Sequence, residues 1–331
     1  MIGGGTTGLV AAKAAAGFGA TVLLVEKDRT GGDCLWTGCV PSKTLLSAAH
    51  TAALARRAGR YGVTVTGVEV DFAAVMRQVR AVIDTIEPTD SPAALRAAGV
   101  RVAHGTATFT GRRTAQVDGA AVSFRRALVA TGAEPVMPPI PGLAQAGPLT
   151  SETIWALTAL PERLLVLGGG SIGCELGQAF ARLGSSVSIV EAAATLLVSE
   201  GPDVAALVTA ALTADGVSVR TGVLVQKVST ADQGWCAELA DGSAVARPTC
   251  APAPPWCPGA PASSRIRRVE SRPTTSQKPP SPVYRSPVRC TSPAPHRISL
   301  LKTVEVSILR TPADRTSEYT VGSTATLPLL K

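Results

Sequence analysis

Gly3 to Glu26 reads GGGTTGLVAAKAAAGFGATVLLVE, and this stretch decides the fold. Gly3 suits a tight turn. Gly5 lets backbone approach a pyrophosphate at a helix N-terminus, and Gly8 lets that helix pack on a sheet. The alanine-rich run after it reads as the helix. Thr21 to Val25 reads as a strand, and Glu26 at its end is placed to bind ribose hydroxyls. A glycine triplet alone is weak, but a helix, strand and acid at the right distances make it specific. The pattern also repeats: Leu164 to Leu167 leads into Gly168, Gly170 and Gly173, and a strand from Ser186 to Val190 ends in Glu191. The interval from first glycine to acid is 23 positions both times. Chance glycine clustering would not reproduce strand and acid at one interval, so two dinucleotide-binding units are expected. Glu191 favours a free 2′-hydroxyl, hence NADH over NADPH.

Between the units lies Gly31 to Lys43, GGDCLWTGCVPSK. Cys34 and Cys39 stand five apart, and a regular helix would hold their Cα atoms beyond about 7 Å, too far for a bridge. An irregular first turn is therefore expected, with a helix from about Ser42. A cysteine at a helix N-terminus has its thiolate favoured by the dipole, which suits reversible redox exchange. A static bridge or half a zinc site are the alternatives. Zinc needs a second ligand pair at matching spacing, which His50, His104, His296 and the scattered remaining cysteines do not supply. No metal site is expected.

Length suits two domains with buried cores. No apolar run reaches the roughly 18 residues of a membrane span. The glycine motif begins at residue 3, which leaves no room for a secretory signal. A cytoplasmic, reducing compartment is the resulting expectation, in which seven cysteines argue for chemistry rather than a disulfide scaffold. Only Met1 and Ile2 precede Gly3, so the first and central strand is expected to be truncated. Residues 44–60 and 71–99 read as amphipathic helices. Val100 to Ala107, Thr114 to Phe124 and Arg126 to Val129 read as strands, the last stopped by the small-residue turn Thr131-Gly132. Later elements are a helix from Pro202, strands near 217–219 and 223–228, and a hairpin at Asp241-Gly242.

The net charge of +8 is unevenly placed. Residues 1–246 carry 19 Lys+Arg against 20 Asp+Glu, and residues 247–331 carry 13 against 4. The last segment also holds 15 of the 25 prolines and only 2 of the 32 glycines, a composition favouring disorder. The abrupt loss of pattern is read as a shifted frame of GC-rich coding sequence. No aromatic-interleaved basic motif supports a specific nucleic-acid function.

In order and spacing, the GGDCLWTGCVPSK stretch, the two fingerprints and the Ala130 to Pro135 turn resemble those of the flavin- and pyridine-nucleotide-dependent disulfide oxidoreductases. The likeness is nearest to the dihydrolipoamide dehydrogenase and mercuric reductase branch. It implies an α/β fold with two Rossmann-like domains, 1–150 for FAD and 151–246 for NAD(P)H. It implies FAD contacts from Gly3, Gly5, Gly8, Glu26, Lys27, Gly32, Lys43, Ala107, Thr131 and Gly132, and nicotinamide-nucleotide contacts from Gly168, Gly170, Gly173 and Glu191. Catalytic roles fall to Cys34, Cys39, Lys43 and Glu175: Cys39 near the flavin, Cys34 exchanging with substrate, and Lys43 held by Glu175. The implied activity moves two electrons between NAD(P)H and a small-molecule or protein disulfide or dithiol. Cys174 reads as a packing residue. The family's second FAD motif and its homodimerisation domain with a His-Glu pair, and the terminal vicinal cysteine pair usual in mercuric reductases, are not recognisable after residue 246; His296 lacks that context. The alternative is a catalytically incompetent truncated relative with residual nucleotide binding.

Overall fold

The computed structural model describes residues 1–231 and 234–246. The reading of 247–331 as a frame-shifted, disordered tail, and His296 within it, lies outside the described residues.

The first fingerprint folds as its residue types dictate. Helix α1 (Thr6–Gly17) leaves the glycine turn and packs Leu9 and Ala12 on strand β1 (Val22–Glu26), where Val22 and Leu24 are buried. Met1 to Gly3 lie beside β1, with Val25 N–H donating to Met1 O and Gly3 N–H to Val25 O at 2.9 and 2.8 Å. On the other side Ile2 N–H donates to Leu128 O, and Ala130 N–H to Ile2 O. So two residues do the work of the short first strand, and Ile2 bridges Val25 and Val129 in parallel. The strand expected over Arg126 to Val129 reduces to that one bridge. Its ladder can be no longer than the partner it pairs with.

Helix α2 (Gly32–Trp36) and helix α3 (Cys39–Arg56) follow. The break between them is the expected irregular turn, but α3 begins three residues earlier than Ser42. Pro41 is tolerated there because a first-turn position needs no N–H. The helix expected over 71–99 is two helices. Helix α4 (Phe72–Asp90) is capped by Asp71, whose carboxylate accepts from Ala74 N–H, and α5 (Pro92–Ala97) by Ser91, with Pro92 opening its first turn.

Strand β2 (Val100–His104) pairs in parallel with β1. An antiparallel meander follows: β3 (Ala107–Gly111), β4 (Thr114–Val117) and β5 (Ala120–Ser123). Here β3 is an added strand and the Thr114 to Phe124 segment is two strands turning at Asp118-Gly119. The second fingerprint gives β6 (Arg163–Leu167), α6 (Ser171–Leu183) and β7 (Ser186–Val190). After α7 (Pro202–Ala214) comes β8 (Ser218–Arg220), so the order β6-β7-β8 is wholly parallel. The antiparallel strands β9 (Val225–Ala231), β10 (Gly234–Leu239) and β11 (Ala244–Ala246) close the described chain, with the last hairpin at Asp241-Gly242 as expected.

The largest hydrophobic cluster joins the halves that carry the two fingerprints. Leu45 and Ala49 of α3, and Phe72, Val79 and Ile83 of α4, pack with Phe180 and Leu183 of α6 and Ile189 of β7. The Phe72 and Phe180 rings meet at 5.9 Å. Each such side chain stabilises the fold by roughly 1.5–3 kcal/mol on burial. The consequence for function is positional, because α3 carries the second cysteine and α6 leaves the second glycine turn.

Candidate redox and dinucleotide site

The two glycine turns are built alike. Gly3 and Gly168 take left-handed φ of 101° and 100°. A Cβ on Gly8 would lie 1.9 Å from Gly3 O, and one on Gly173 2.2 Å from Gly168 O, so each helix seats directly on its turn. The acids match as well. Glu26 Oε2 accepts from Gly4 N–H at 2.5 Å and its Oε1 from Asp28 N–H at 2.9 Å. Glu191 Oε2 accepts from Gly169 N–H at 2.6 Å and its Oε1 from Ala193 N–H at 2.7 Å. Thr131 N lies against the Gly3 turn, and a Cβ added to Gly132 or Gly170 would meet nothing within 4 Å.

The cysteine segment is stitched onto the first turn. Gly31 N–H donates to Gly4 O at 2.9 Å, and a Cβ on Gly32 would sit 2.5 Å from Gly5 Cα. Cys34 on α2 is half-buried and Cys39 opens α3 exposed; both stand as free thiols. The Cys34 thiol neighbours the Cys39 thiol and the Thr6 hydroxyl, the latter on the first residue of α1. Burial, and then Cys39, push the Cys34 thiol above its ordinary value, with Thr6 opposing them, so the thiolate-favouring shift expected from a helix N-terminus is outweighed here. The turn between the cysteines is held from several sides. Thr37 N–H donates to Asp33 O, Trp36 Nε1 to Thr30 O at 2.8 Å, and Trp155 Nε1 to Thr37 O at 2.9 Å. Arg29 stacks on the Trp36 ring at 3.9 Å.

One turn along α3, Lys43 Nζ donates to Glu175 Oε1 and Oε2 at 2.9 and 2.8 Å. This pair joins the cysteine helix to the helix of the second fingerprint. Lys27 is exposed and reaches Glu134 at 3.9 Å. Ala107 opens β3 in register with Val117. Cys174 is buried, with Sγ 3.4 Å from Gly169 O; burial, then Glu191 and Glu175, raise its thiol. That suits the packing role read from sequence.

Thr6 and Trp155 were not singled out from sequence. Thr6 had a signal, since it follows the glycine whose turn the cysteines abut. Trp155 had none, because its partner lies 118 positions away.

Two glycine turns of one geometry, with a cysteine pair seated against the first, are the features that set this chain's class. A sequence model of the pyridine nucleotide-disulphide oxidoreductases matches residues 1–250, and the chain belongs to that family. It is 34% identical over 228 residues to a mercuric reductase of Bacillus cereus, covering 69% of this chain and 36% of that protein. It is 34% identical over 234 residues to a dihydrolipoyl dehydrogenase of Bacillus subtilis, covering 69% and 51%. Among solved structures, the HOCl-induced flavoprotein disulfide reductase RclA from Escherichia coli superposes with a TM-score of 0.63 at 28% identity, over 74% of this chain and 53% of that one. The chain thus spans about half or less of the length of these relatives. No helix among the described residues is long and apolar enough to cross a membrane.

Proposed function

We propose that this chain carries the cofactor and dithiol portion of a flavin-dependent disulfide oxidoreductase. In this reading it has two Rossmann-like domains, residues 1–150 for FAD and 151–246 for NAD(P)H, with NADH favoured by Glu191. The observation that carries the reading is the seating of the cysteine segment on the first glycine turn, through Gly31, Gly32 and the Thr6–Cys34 contact.

The residues present fit the two nucleotides. The turn at Gly3, Gly5 and Gly8 offers backbone N–H groups at a helix N-terminus, and open space lies over Gly170 and Gly132. FAD would be held by these residues with Glu26, Lys27, Gly32, Lys43, Ala107, Thr131 and Gly132; Gly168, Gly170, Gly173 and Glu191 would hold the nicotinamide nucleotide. When bound, FAD supplies a two-electron carrier between nicotinamide and the cysteines.

The protein's own part is positioning and thiol exchange. Reduction of the Cys34–Cys39 bond consumes two electrons and two protons and gives two thiols. Cys34 as thiolate attacks a substrate disulfide and releases one substrate thiol; Cys39 then attacks Cys34 Sγ, releases the second and restores the bond. Cys39, the more exposed thiol, is the one FAD would cover. Lys43, oriented by Glu175, would supply a cation to the carrier once bound. Disulfide or dithiol compounds are the substrate class, and a homodimer is the assembly this family reading implies.

The test is a visible absorption spectrum of the purified full chain, followed by anaerobic NADH titration with thiol counting. A flavin spectrum bleached by NADH, with two extra thiols that vanish in Cys34→Ser, is expected. Lys43→Met should slow bleaching about tenfold or more. It should leave stability almost unchanged, since the pair is 62% and 45% exposed and such pairs contribute about 0–1 kcal/mol. A protein that takes up no flavin would sink the proposal and leave a relative with residual nucleotide binding.

A further inference from the structure

We infer that the open end of the β3–β5 meander is a docking surface for an acidic segment of a partner protein. Arg112 and Arg113 form the turn between β3 and β4. Thr114 pairs with Ser123, and Phe124 N–H donates to Arg113 O at 3.0 Å, which brings Arg125 and Arg126 to the same end. All four arginines are exposed. No ion pair among the described residues engages any of them. From Ser91 to Ala133 there are six arginines and one carboxylate, Asp118. Asp118 turns the opposite end of the meander and accepts from Thr106 N–H.

Elsewhere in the described chain, four arginines are paired with acids. Arg57 and Arg182 share Asp215, Arg220 takes Asp241 and Arg77 takes Asp71. Four exposed arginines carried at one sheet end, in no ion pair among the described residues, are complementary in charge to an incoming set of carboxylates. Beside them Phe109 and Phe124 meet edge to face at 5.8 Å, and Phe109 is 40% exposed. An apolar pair flanked by unpaired guanidiniums is the composition of an interface anchor with a charged rim. Guanidinium, unlike ammonium, also presents a fork matched to carboxylate.

The charge complement selects protein over nucleic acid. Residues 1–246 hold 19 basic and 20 acidic side chains, so this portion as a whole carries no excess positive charge for a polyanion. Nucleic-acid affinity grows with the number of phosphates neutralised. A cluster one sheet-end wide matches a few carboxylates instead. Rim charges of this kind set encounter rate and partner choice more than raw affinity.

The test uses the full chain and a fluorescein-labelled oligoglutamate peptide, followed by fluorescence anisotropy at low salt. Arg113→Gln/Arg125→Gln, with these exposed side chains shortened, should weaken binding about tenfold with an unchanged melting temperature. Arg113→Lys/Arg125→Lys should restore part of it. Peptide affinity identical in the glutamine variant would place the binding in the basic residues after 246 and overturn the inference. A labelled single-stranded DNA bound as tightly as the peptide, and lost in the same variant, would overturn the choice of partner.

Discussion

Gly32→Ala tests whether the cysteine segment is fused to the nucleotide turn. A Cβ at this position meets Gly5 Cα at 2.5 Å, with Gly5 N and C at 3.5 and 3.6 Å. These are backbone atoms at the base of α1, so no side chain can swing aside. Ordinary contact begins near 3.4 Å, and α2 must therefore retreat by about 1 Å. That retreat stretches the 2.9 Å Gly31-to-Gly4 bond and draws Cys34 from Thr6. Alanine at φ 56° costs roughly 1–2 kcal/mol, the weakened hydrogen bond about 1, and forced repacking about 1–3. A loss of about 3–6 kcal/mol is expected, a large part of the 5–15 kcal/mol that typically holds a protein folded. Urea unfolding followed by tryptophan fluorescence measures it, because Trp36 and Trp155 both hold this turn. Gly59→Ala is the control: its Cβ meets nothing within 4 Å and its φ is not positive, so the midpoint should stay level or rise. Equal midpoints for Gly32→Ala and wild type would refute the reasoning, since they would mean that the segment does not rest on Gly5.

Two further outcomes follow from the geometry. Asp215 is 4% exposed and accepts from Arg182 Nε and Gln178 Nε2, each at 2.8 Å, and from Arg57. Asp215→Ala should lower stability by about 2–4 kcal/mol by leaving the 21%-exposed Arg182 uncompensated, while Arg57→Ala, at a 44%-exposed site, should cost under about 1; equal urea midpoints for the two would refute this ordering. Cys34 keeps its proton in the fold to a pH above the ordinary 9.0, so the protonated thiol stabilises the fold below that value and the contribution is lost as pH rises through the folded one. Iodoacetamide labelling of reduced Cys34 should accordingly have its midpoint above 9.0, and Cys39→Ser should lower it; a midpoint below 9.0 in the unsubstituted protein would contradict the burial described.

The glycine turns, their helices and the acid-ended strands were legible because each depends on residues close in sequence with a fixed spacing. The 23-residue interval carries both turn geometries. The cysteine break was legible in kind but not in register, because Pro41 reads as a helix boundary until its first-turn position is known. The strand before the Thr131-Gly132 turn was over-read: hydrophobic residues at 128 and 129 signal burial, but a ladder also needs a partner of equal length. The Lys43–Glu175 pair came from resemblance, at a separation of 132 positions. The Asp215 cluster had no such guide. Its Arg57 partner is 158 residues away, and nothing local marks the acid as buried.

The paired carboxylates of Glu26 and Glu191 are each clamped by two peptide N–H groups. A clamped acid cannot swivel away from what approaches it. A ribose diol bound there, as proposed, would find its acceptor already oriented, so little rotamer freedom would remain to be lost on docking. An extra phosphate at the same spot would face a negative charge with nowhere to go. Discrimination between the two kinds of sugar would then come from the stiffness of two short loops rather than from any additional contact.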